Sequence, residues 1–232
     1  KGFFLISQKY KRCYAIVQYM ITSTVENYLK ALFLLDQHSE KQVATGELAK
    51  ALNVTPGSVT TMIKTLAEAG LVDHRPHYGV KLTQSGRTLA VRVVRRHRIV
   101  ELFLVEILSM DWSEVHEEAE QLEHVVSDIV VDRMDELLGH PTVDPHGDPI
   151  PTADGSLPVR SLKRLSFCES GDRVSIARIG DQDTSFLKFA EDIGLVLGEK
   201  IEIIDRNDLT DSITVRSSDQ EIVLGLSAAG RI

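Results

Sequence analysis

The sequence has few cysteines and no long hydrophobic run. Two of its 232 residues are cysteines, Cys13 and Cys168, and they stand far apart without CxxC spacing. This pattern excludes a disulfide framework and a zinc knuckle, and it is typical of a cytosolic protein. No run approaches the roughly 18 apolar residues that a membrane-spanning helix needs, so we expect no membrane span.

The first nineteen residues contain four basic residues and no acidic one. They lack a small-residue cleavage site after an apolar core, so a signal peptide is not expected. We expect an N-terminal extension over residues 1–19, with the folded protein beginning near Met20.

The net charge of -8 argues at first against a nucleic-acid partner, but the charges are unevenly distributed. Five arginines fall within Arg87–Arg98 and six carboxylates within Asp111–Glu123. A neutral module beside an acidic one still binds DNA if a cation neutralises the acidic part.

Length and composition are those of a soluble globular protein with one large domain or two small ones.

Residues 20–84 carry the pattern of a winged helix-turn-helix. Apolar residues recur at helical spacing from about 23 to 38, and two more helices are predicted after Thr45 and Thr55. Two short extended runs follow, joined by the turn-rich sequence PHYG. We interpret this hairpin as the wing; a generic three-helix bundle with a hairpin is the alternative.

The third helix of this module is the predicted recognition helix, and double-stranded DNA is the expected partner. Small hydroxyl residues at its start allow the backbone to approach a groove and to contact phosphates and bases. The predicted DNA-binding residues are Thr55, Ser58, Thr60, Thr61, Lys64 and Arg75. Lys64 and Arg75 are the candidates for phosphate contacts.

Residues 85–140 are predicted to form two long helices. The first runs from about Ser85 to Leu108, and the second from Asp111, as its cap, to about Leu138. Two long helices beyond a winged helix usually pack against a second copy, so we expect a homodimer.

The composition changes at residues 141–158, which hold five of the seven prolines and are predicted to be a linker. Short alternating runs over 159–232 predict a small β-barrel, with a helical turn near Ser185–Asp192. That region contains no GxGxxG, Walker or GxSxG motif. The expected fold class is therefore mainly α with small β.

The acidic stretch VHEEAEQLEH places histidines and carboxylates on one helical face. Residues four apart share a face, which aligns His116, Glu120 and His124. Glu123 lies beside them. On the preceding helix, His97 and Glu101 are also four residues apart and share a face. Imidazole with carboxylate suits divalent manganese, iron, cobalt, nickel or zinc. A solvated acidic helix is the alternative. The remaining histidines show no such partners and are expected at the surface or in turns: His38, His74, His77, His140 and His146.

A metallohydrolase built on the same residues is a weaker hypothesis. The sequence HEEAE departs from the HExxH zinc-protease motif, because Glu120 stands where the second histidine belongs. No nearby residue is an obvious nucleophile. A winged-helix regulator that senses a small organic ligand is a further alternative.

Three motifs, in this order, are similar to those of one family. VRRHRIVELFL, VHEEAEQLEHVVSD and PHGDPIP resemble the diphtheria-toxin-repressor family of metal-dependent transcriptional repressors. STVENYLKALFLL and VTPGSVTTMIKTLAEAGLV resemble its winged helix, so the resemblance covers roughly residues 20–232. It implies a dimeric repressor of a palindromic operator, in which a divalent metal fixes the first helix to helical dimerisation elements. It also implies that residues 159–232 form an SH3-like domain.

The resemblance further implies two metal sites. The residues that match the ancillary site are His97, Glu101, His116 and Asp183. The residues that match the primary, regulatory site are Asn27, Glu120, Glu123 and His124. Asp183 is chosen as the acid from the SH3-like domain, with Asp181 as the alternative, and Asn27 occupies the first-helix position.

The same resemblance bears on the metal. Iron-responsive members carry a cysteine where Glu120 stands, whereas manganese-responsive members carry a glutamate. A hard, oxygen-rich site suits manganese, which otherwise binds more weakly than later metals. Asn27 replaces the usual Asp of manganese members and the Met of iron members, and Lys30 replaces a glutamate of one-domain manganese members. Manganese is therefore the expected cofactor, with iron as the alternative, bound in primary and ancillary sites rather than a tight binuclear one.

Overall fold

The computed structural model describes residues 22–36, 42–75, 78–158, 160–218 and 220–232. The predicted N-terminal extension, residues 1–19, lies outside this part of the chain. The described residues divide into two compact units, one reaching to Val94 and the other running from Arg95 to Ile232. Within the described residues, no helix combines the length and the apolar character that crossing a membrane requires.

The N-terminal unit contains the expected three helices and hairpin. The two strands pair antiparallel, with Val72 opposite Leu82, and Val80 forms an isolated bridge with Val43. The predicted winged helix-turn-helix is thereby confirmed. Its elements are α1 (Ser23–Asp36), α2 (Thr45–Ala51), α3 (Pro56–Glu68), β1 (Val72–Arg75) and β2 (Gly79–Leu82).

Helix α3 forms for the local reasons that its sequence predicts. The Thr55 hydroxyl accepts a hydrogen bond from the Ser58 N–H at 3.2 Å, which satisfies one of the free donors at the helix start. Val59, Ile63 and Leu66 are buried along one face. The opposite face is polar and exposed, as a recognition helix requires.

The helices between residues 84 and 138 differ from the prediction. Helix α4 (Gln84–Glu106) is followed by α5 (Val115–Leu122) and α6 (Asp128–Leu137), so the single helix predicted from Asp111 to Leu138 is wrong. Helix α5 ends at Leu122 with Glu123 as its C-cap, and the Ser127 hydroxyl accepts from the Val130 N–H at 3.4 Å to start α6. Asp111 caps a turn instead of α5, because its carboxylate accepts from the Ser113 N–H at 2.8 Å.

The arginines in the second half of α4 hold the neighbouring segments in place. Each is at most partly exposed, and each reaches a carboxylate or a backbone carbonyl of another element. Their role in the fold is therefore structural. The contacts are Arg95 with Asp135 at 3.2 Å, Arg96 with the Glu123 carbonyl at 2.9 Å, and Arg98 with Asp148 at 3.4 Å.

The C-terminal domain is a four-stranded antiparallel sheet in the order β3-β4-β5-β6. A bulge in β4 between Ile203 and Asp205 bends the strand. Helix α7 covers the core with Phe186 and Leu187. The predicted strands and helical turn are confirmed, as is the fold class. The elements are β3 (Arg173–Ser175), α7 (Thr184–Asp192), β4 (Lys200–Asn207), β5 (Ser212–Ser217), β6 (Gln220–Gly225) and α8 (Leu226–Ala229).

The proline-rich segment packs against this C-terminal domain. The His146 carbonyl accepts from the Ile179 N–H at 2.9 Å. Gly147 has a φ of +87°, and a Cβ atom there would lie 2.3 Å from the Ala177 carbonyl oxygen. The segment is thus an ordered loop in close contact with its neighbours, and a side chain at position 147 does not fit.

Candidate metal centre

Helices α4 and α5 meet through a small apolar core. Val100 and Leu104 of α4 are buried with Val115 and Ala119 of α5. These residues alternate along each helix with the histidines and glutamates, so packing the apolar positions brings the polar ones together.

The three helical residues predicted for the ancillary site are in direct contact. Oε1 of Glu101 lies 2.9 Å from Nε2 of His97 and 3.0 Å from Nδ1 of His116. The two imidazoles meet edge to face, with their ring centroids 4.9 Å apart. All three ligand atoms lie within 4.8 Å of one another, which is a spacing that one metal ion can bridge.

His97 also contacts residues of the predicted primary set. Its other nitrogen, Nδ1, lies 2.6 Å from Oε2 of Glu123 and 3.9 Å from Oε1 of Glu120. His124 follows directly, with Nε2 3.5 Å from Oε1 of Glu123. The structure therefore brings Glu120, Glu123 and His124 together, and it joins the two predicted sites through one imidazole.

The centre is buried and strongly charged. The side chains of Glu101 and Glu123 have no solvent exposure, whereas that of Glu120 is 34% exposed. Burial alone would raise the pKa of Glu101, but the charge of His97 and hydrogen bonds from His116 and His97 outweigh burial and hold the pKa well below its usual range. A buried carboxylate that stays ionised beside imidazoles is a donor set that fits a divalent transition metal.

Two residues of the predicted sets belong to other elements of the chain. Asp183 is exposed and caps α7, where its carboxylate accepts from the Phe186 N–H at 3.1 Å and from the Ser185 hydroxyl. The alternative, Asp181, pairs with Arg231 at 2.8 Å. Asn27 lies on α1, in the N-terminal unit. Asn27, His124 and Asp183 are not part of a metal-ligand cluster among the described residues, and the assignment of metal ligands stays a prediction.

The sequence analysis missed two polar residues beside the centre. His146 lies in a turn, which is one of the two expected positions, but its side chain has no exposed surface. Asp144 is 2% exposed, and both residues form a cluster with Glu101. Burial, reinforced by the charges of Glu101 and Asp148, raises the pKa of Asp144 to about 8, and burial lowers the pKa of His146. The available signal was the motif DPHGDP, where charged residues alternate with prolines and a glycine.

The predicted DNA-binding residues line the exposed side of the recognition helix and the end of β1. The hydroxyl of Thr60 donates to the Pro56 carbonyl at 2.9 Å and that of Thr61 to the Gly57 carbonyl at 3.1 Å. The side chains keep acceptor capacity at the solvent-facing surface. All six residues are exposed: Thr55, Ser58, Thr60, Thr61, Lys64 and Arg75.

Comparison with known proteins identifies the family. The family models for the iron dependent repressor N-terminal DNA binding domain, its metal binding and dimerisation domain, and the FeoA domain match residues 20–80, 83–152 and 163–232. The diphtheria toxin repressor of Corynebacterium efficiens is 34% identical over 195 residues, which are 80% of this chain and 84% of that protein. The chain belongs to the iron-dependent repressor family. It is thus a member of a family of metal-dependent, DNA-binding transcriptional repressors with a dimerisation domain.

Relatives within the iron-dependent repressor family differ in their metal. A manganese-dependent transcriptional repressor, solved in complex with manganese, is 41% identical and superimposes with a TM-score of 0.84, over 90% of this chain and 97% of that one. The iron-dependent repressor IdeR of Mycobacterium leprae is 31% identical over 163 residues, which are 67% of this chain and 70% of that protein. Both manganese and iron are therefore cofactors within the family.

Proposed function

We propose that this chain is a manganese-activated transcriptional repressor that binds a palindromic DNA operator as a homodimer. The observation that carries the proposal is the buried centre in which His97 contacts Glu101 through one nitrogen and Glu123 through the other. A site with two fully buried carboxylates and bridging imidazoles is costly to keep without a cation. The burial of these two carboxylates therefore favours a centre that binds a metal ion.

The proposed ligands follow the family resemblance and the contacts of the centre. Bound there, a divalent ion supplies positive charge to several carboxylates at once. Among the three proposed primary ligands of α5 and the turn after it, Glu120 is the most exposed, so it is the point at which an ion would exchange with solvent. The proposed ancillary ligands are His97, Glu101, His116 and Asp183, and the proposed primary ligands are Asn27, Glu120, Glu123 and His124.

Regulation follows from linkage between the metal sites and DNA binding. The buried carboxylates Glu101 and Glu123 repel each other in any state that lacks a neutralising ion. A ligand that binds one conformation more tightly shifts the population toward it by its differential affinity. Metal affinity and operator affinity are then coupled by the same factor in both directions.

Manganese is favoured over iron by the oxygen-rich character of the primary set. Glu120 supplies a hard carboxylate at the position where iron-responsive members carry a cysteine, and a hard set suits manganese. Similarity to the manganese-bound structure supports the same choice, whereas similarity to IdeR keeps iron as the alternative.

Exposed apolar side chains support the proposed homodimer, and its symmetry supports a palindromic operator. Helix α6 and the turn before it expose Val125, Ile129 and Leu137, which are 76%, 75% and 65% accessible in the single chain. Such an apolar surface is typical of an interface. A twofold dimer presents two α3 helices, and a palindromic DNA site matches that symmetry.

The test is fluorescence anisotropy of a palindromic duplex titrated with protein across a series of divalent ions. Wild type should bind more tightly with manganese than with chelator, and Glu120→Ala should lose this stimulation while keeping its fold and dimer. Glu118→Ala, an exposed acid on the same helix, is the matched control and should behave as wild type. Manganese-stimulated binding that survives in Glu120→Ala would refute the assignment, and stronger activation by ferrous iron would refute the choice of metal.

A further inference from the structure

A third cluster of ligand atoms lies behind the ancillary site, on the far oxygen of Glu101. Whereas Oε1 of Glu101 contacts His97 and His116, its Oε2 lies 3.9 Å from Nδ1 of His146. Asp144 supplies a second carboxylate, and one ligand atom from each of the three residues lies within 4.8 Å of the others. The three side chains are 0% to 2% exposed.

The atoms that meet in this cluster lack hydrogen bonds. Oε2 of Glu101, Oδ2 of Asp144 and Nδ1 of His146 are all buried without a hydrogen-bond partner in the described part of the chain. Buried polar atoms are nearly always paired, because each unpaired one costs about 1–3 kcal/mol. Three of them converging on one point are typical of a site that binds an ion.

The rest of each side chain is held so that these atoms stay available. The Trp112 carbonyl lies 2.9 Å from Nε2 of His146, and a carbonyl can only accept. Nε2 therefore carries the proton, which leaves a lone pair on Nδ1. Oδ1 of Asp144 accepts from the N–H groups of His146 and Asp148, each at 2.9 Å, which fixes the direction of Oδ2. Backbone groups that orient ligands in this way are the usual surroundings of a metal site.

We propose that Glu101, Asp144 and His146 form a third divalent-cation site, in which Glu101 bridges the new ion and the ion of the ancillary site. Two carboxylate oxygens and one imidazole nitrogen suit a first-row ion such as manganese or iron, with water completing the coordination. Metal ligands about 2.1 Å from one ion lie roughly 3–4 Å apart, so a small inward movement of the three atoms closes the site.

The local charge also favours a cation. Asp144 is approached by the Arg98 guanidinium at 3.6 Å, without a hydrogen bond. Asp148, by contrast, has two arginine partners, Arg98 at 3.4 Å and Arg178 at 2.9 Å. Arg98 is thus shared between Asp144 and Asp148 and donates no hydrogen bond to Asp144, which leaves Oδ2 available to a cation.

The position of the site suggests what it does. Glu101 belongs to α4, whereas Asp144 and His146 belong to the loop that packs on the C-terminal domain through Gly147. An ion at this point would tie that loop to α4, next to the ancillary site. Occupancy of the third site would therefore transmit metal binding to the C-terminal domain.

The experiment counts manganese ions on the full-length protein by equilibrium dialysis and elemental analysis. Asp144→Asn keeps the shape and the Oδ1 acceptor but removes the ligand, so it should bind one ion fewer per chain than wild type, or bind it more than roughly 100-fold more weakly. Asp148→Asn, in the same loop but outside the cluster, is the control and should keep the wild-type count.

Crystals of the wild-type protein soaked in manganese give a second measurement that does not depend on the variant's folding. An anomalous peak between Glu101, Asp144 and His146 supports the proposal. A water at that point, or an equal count of equally tight ions in wild type and Asp144→Asn, overturns it. Neither measurement involves DNA, so a failure of the proposed repressor function would show in the anisotropy assay and not here.

Discussion

Replacing His97 by alanine tests whether one imidazole holds the two metal-ligand sets together. The ring contacts Oε1 of Glu101 at 2.9 Å and Oε2 of Glu123 at 2.6 Å, and neither carboxylate is exposed to solvent. In protein stripped of metal, His97→Ala leaves both carboxylates buried without this partner. Breaking a buried ion pair from one side costs about 3–5 kcal/mol.

This loss should be visible in thermal and urea unfolding with chelator present. For a chain of 150–250 residues, 1 kcal/mol shifts Tm by about 2–4 °C, so His97→Ala should lower Tm by roughly 6–20 °C. The matched control is His116→Ala, since the His116 side chain is 29% exposed and Glu101 then keeps His97. The control should lose less than half as much.

The effect of His97→Ala should also depend on pH. The pKa of Glu101 is depressed in the folded wild type, so its interactions stabilise the fold above the ordinary pKa of 4.5 and that contribution is lost as the pH falls below it. The difference between wild type and variant is therefore largest at neutral pH and narrows in acid. A loss below about 1 kcal/mol at pH 7, or one equal to that of His116→Ala, would refute the shared role of His97.

Two further substitutions test other parts of the structure. Glu120→Cys should raise the ratio of activation by anaerobic ferrous iron to activation by manganese, because a thiolate is a softer ligand; an unchanged ratio in the anisotropy assay would show that position 120 does not set metal preference. Gly147→Ala should destabilise the protein by more than the matched Gly171→Ala. Both glycines have φ near +87°, so the backbone strain is the same. An added Cβ atom at position 147 would lie 2.3 Å from a carbonyl oxygen, whereas one at position 171 would have no atom within 4 Å. Urea unfolding compares them, and equal losses of about 1–3 kcal/mol, the cost of backbone strain alone, would contradict the close packing of the loop.

Local patterns in the sequence predicted most helices and strands. The cap at Thr55 and the apolar spacing of Val59, Ile63 and Leu66 predict α3, because both depend on residues within one or two helical turns. The strands of the C-terminal domain were predicted for the same reason. The break between α5 and α6 was missed because the acidic periodicity continues through it, although the cap at Ser127 was present as a signal.

The candidate metal residues were predictable as two helical pairs, and their grouping was not. The spacing of His97 with Glu101 and of His116 with Glu120 follows from 3.6 residues per turn, whatever the tertiary structure. The assignment of His97 to one site alone came from sequence similarity. The packing of α4 on α5 decides that its second nitrogen also reaches Glu123.

The sequence by itself therefore determined the winged helix, the strands of the C-terminal domain and the helical faces that carry histidine and glutamate, because each depends on contacts between near neighbours in the chain. The tertiary structure alone decided that His146 and Asp144, more than forty positions after Glu101, are buried against its second oxygen. No periodicity encodes that meeting, since it depends on how the proline-rich loop packs between α4 and the C-terminal domain.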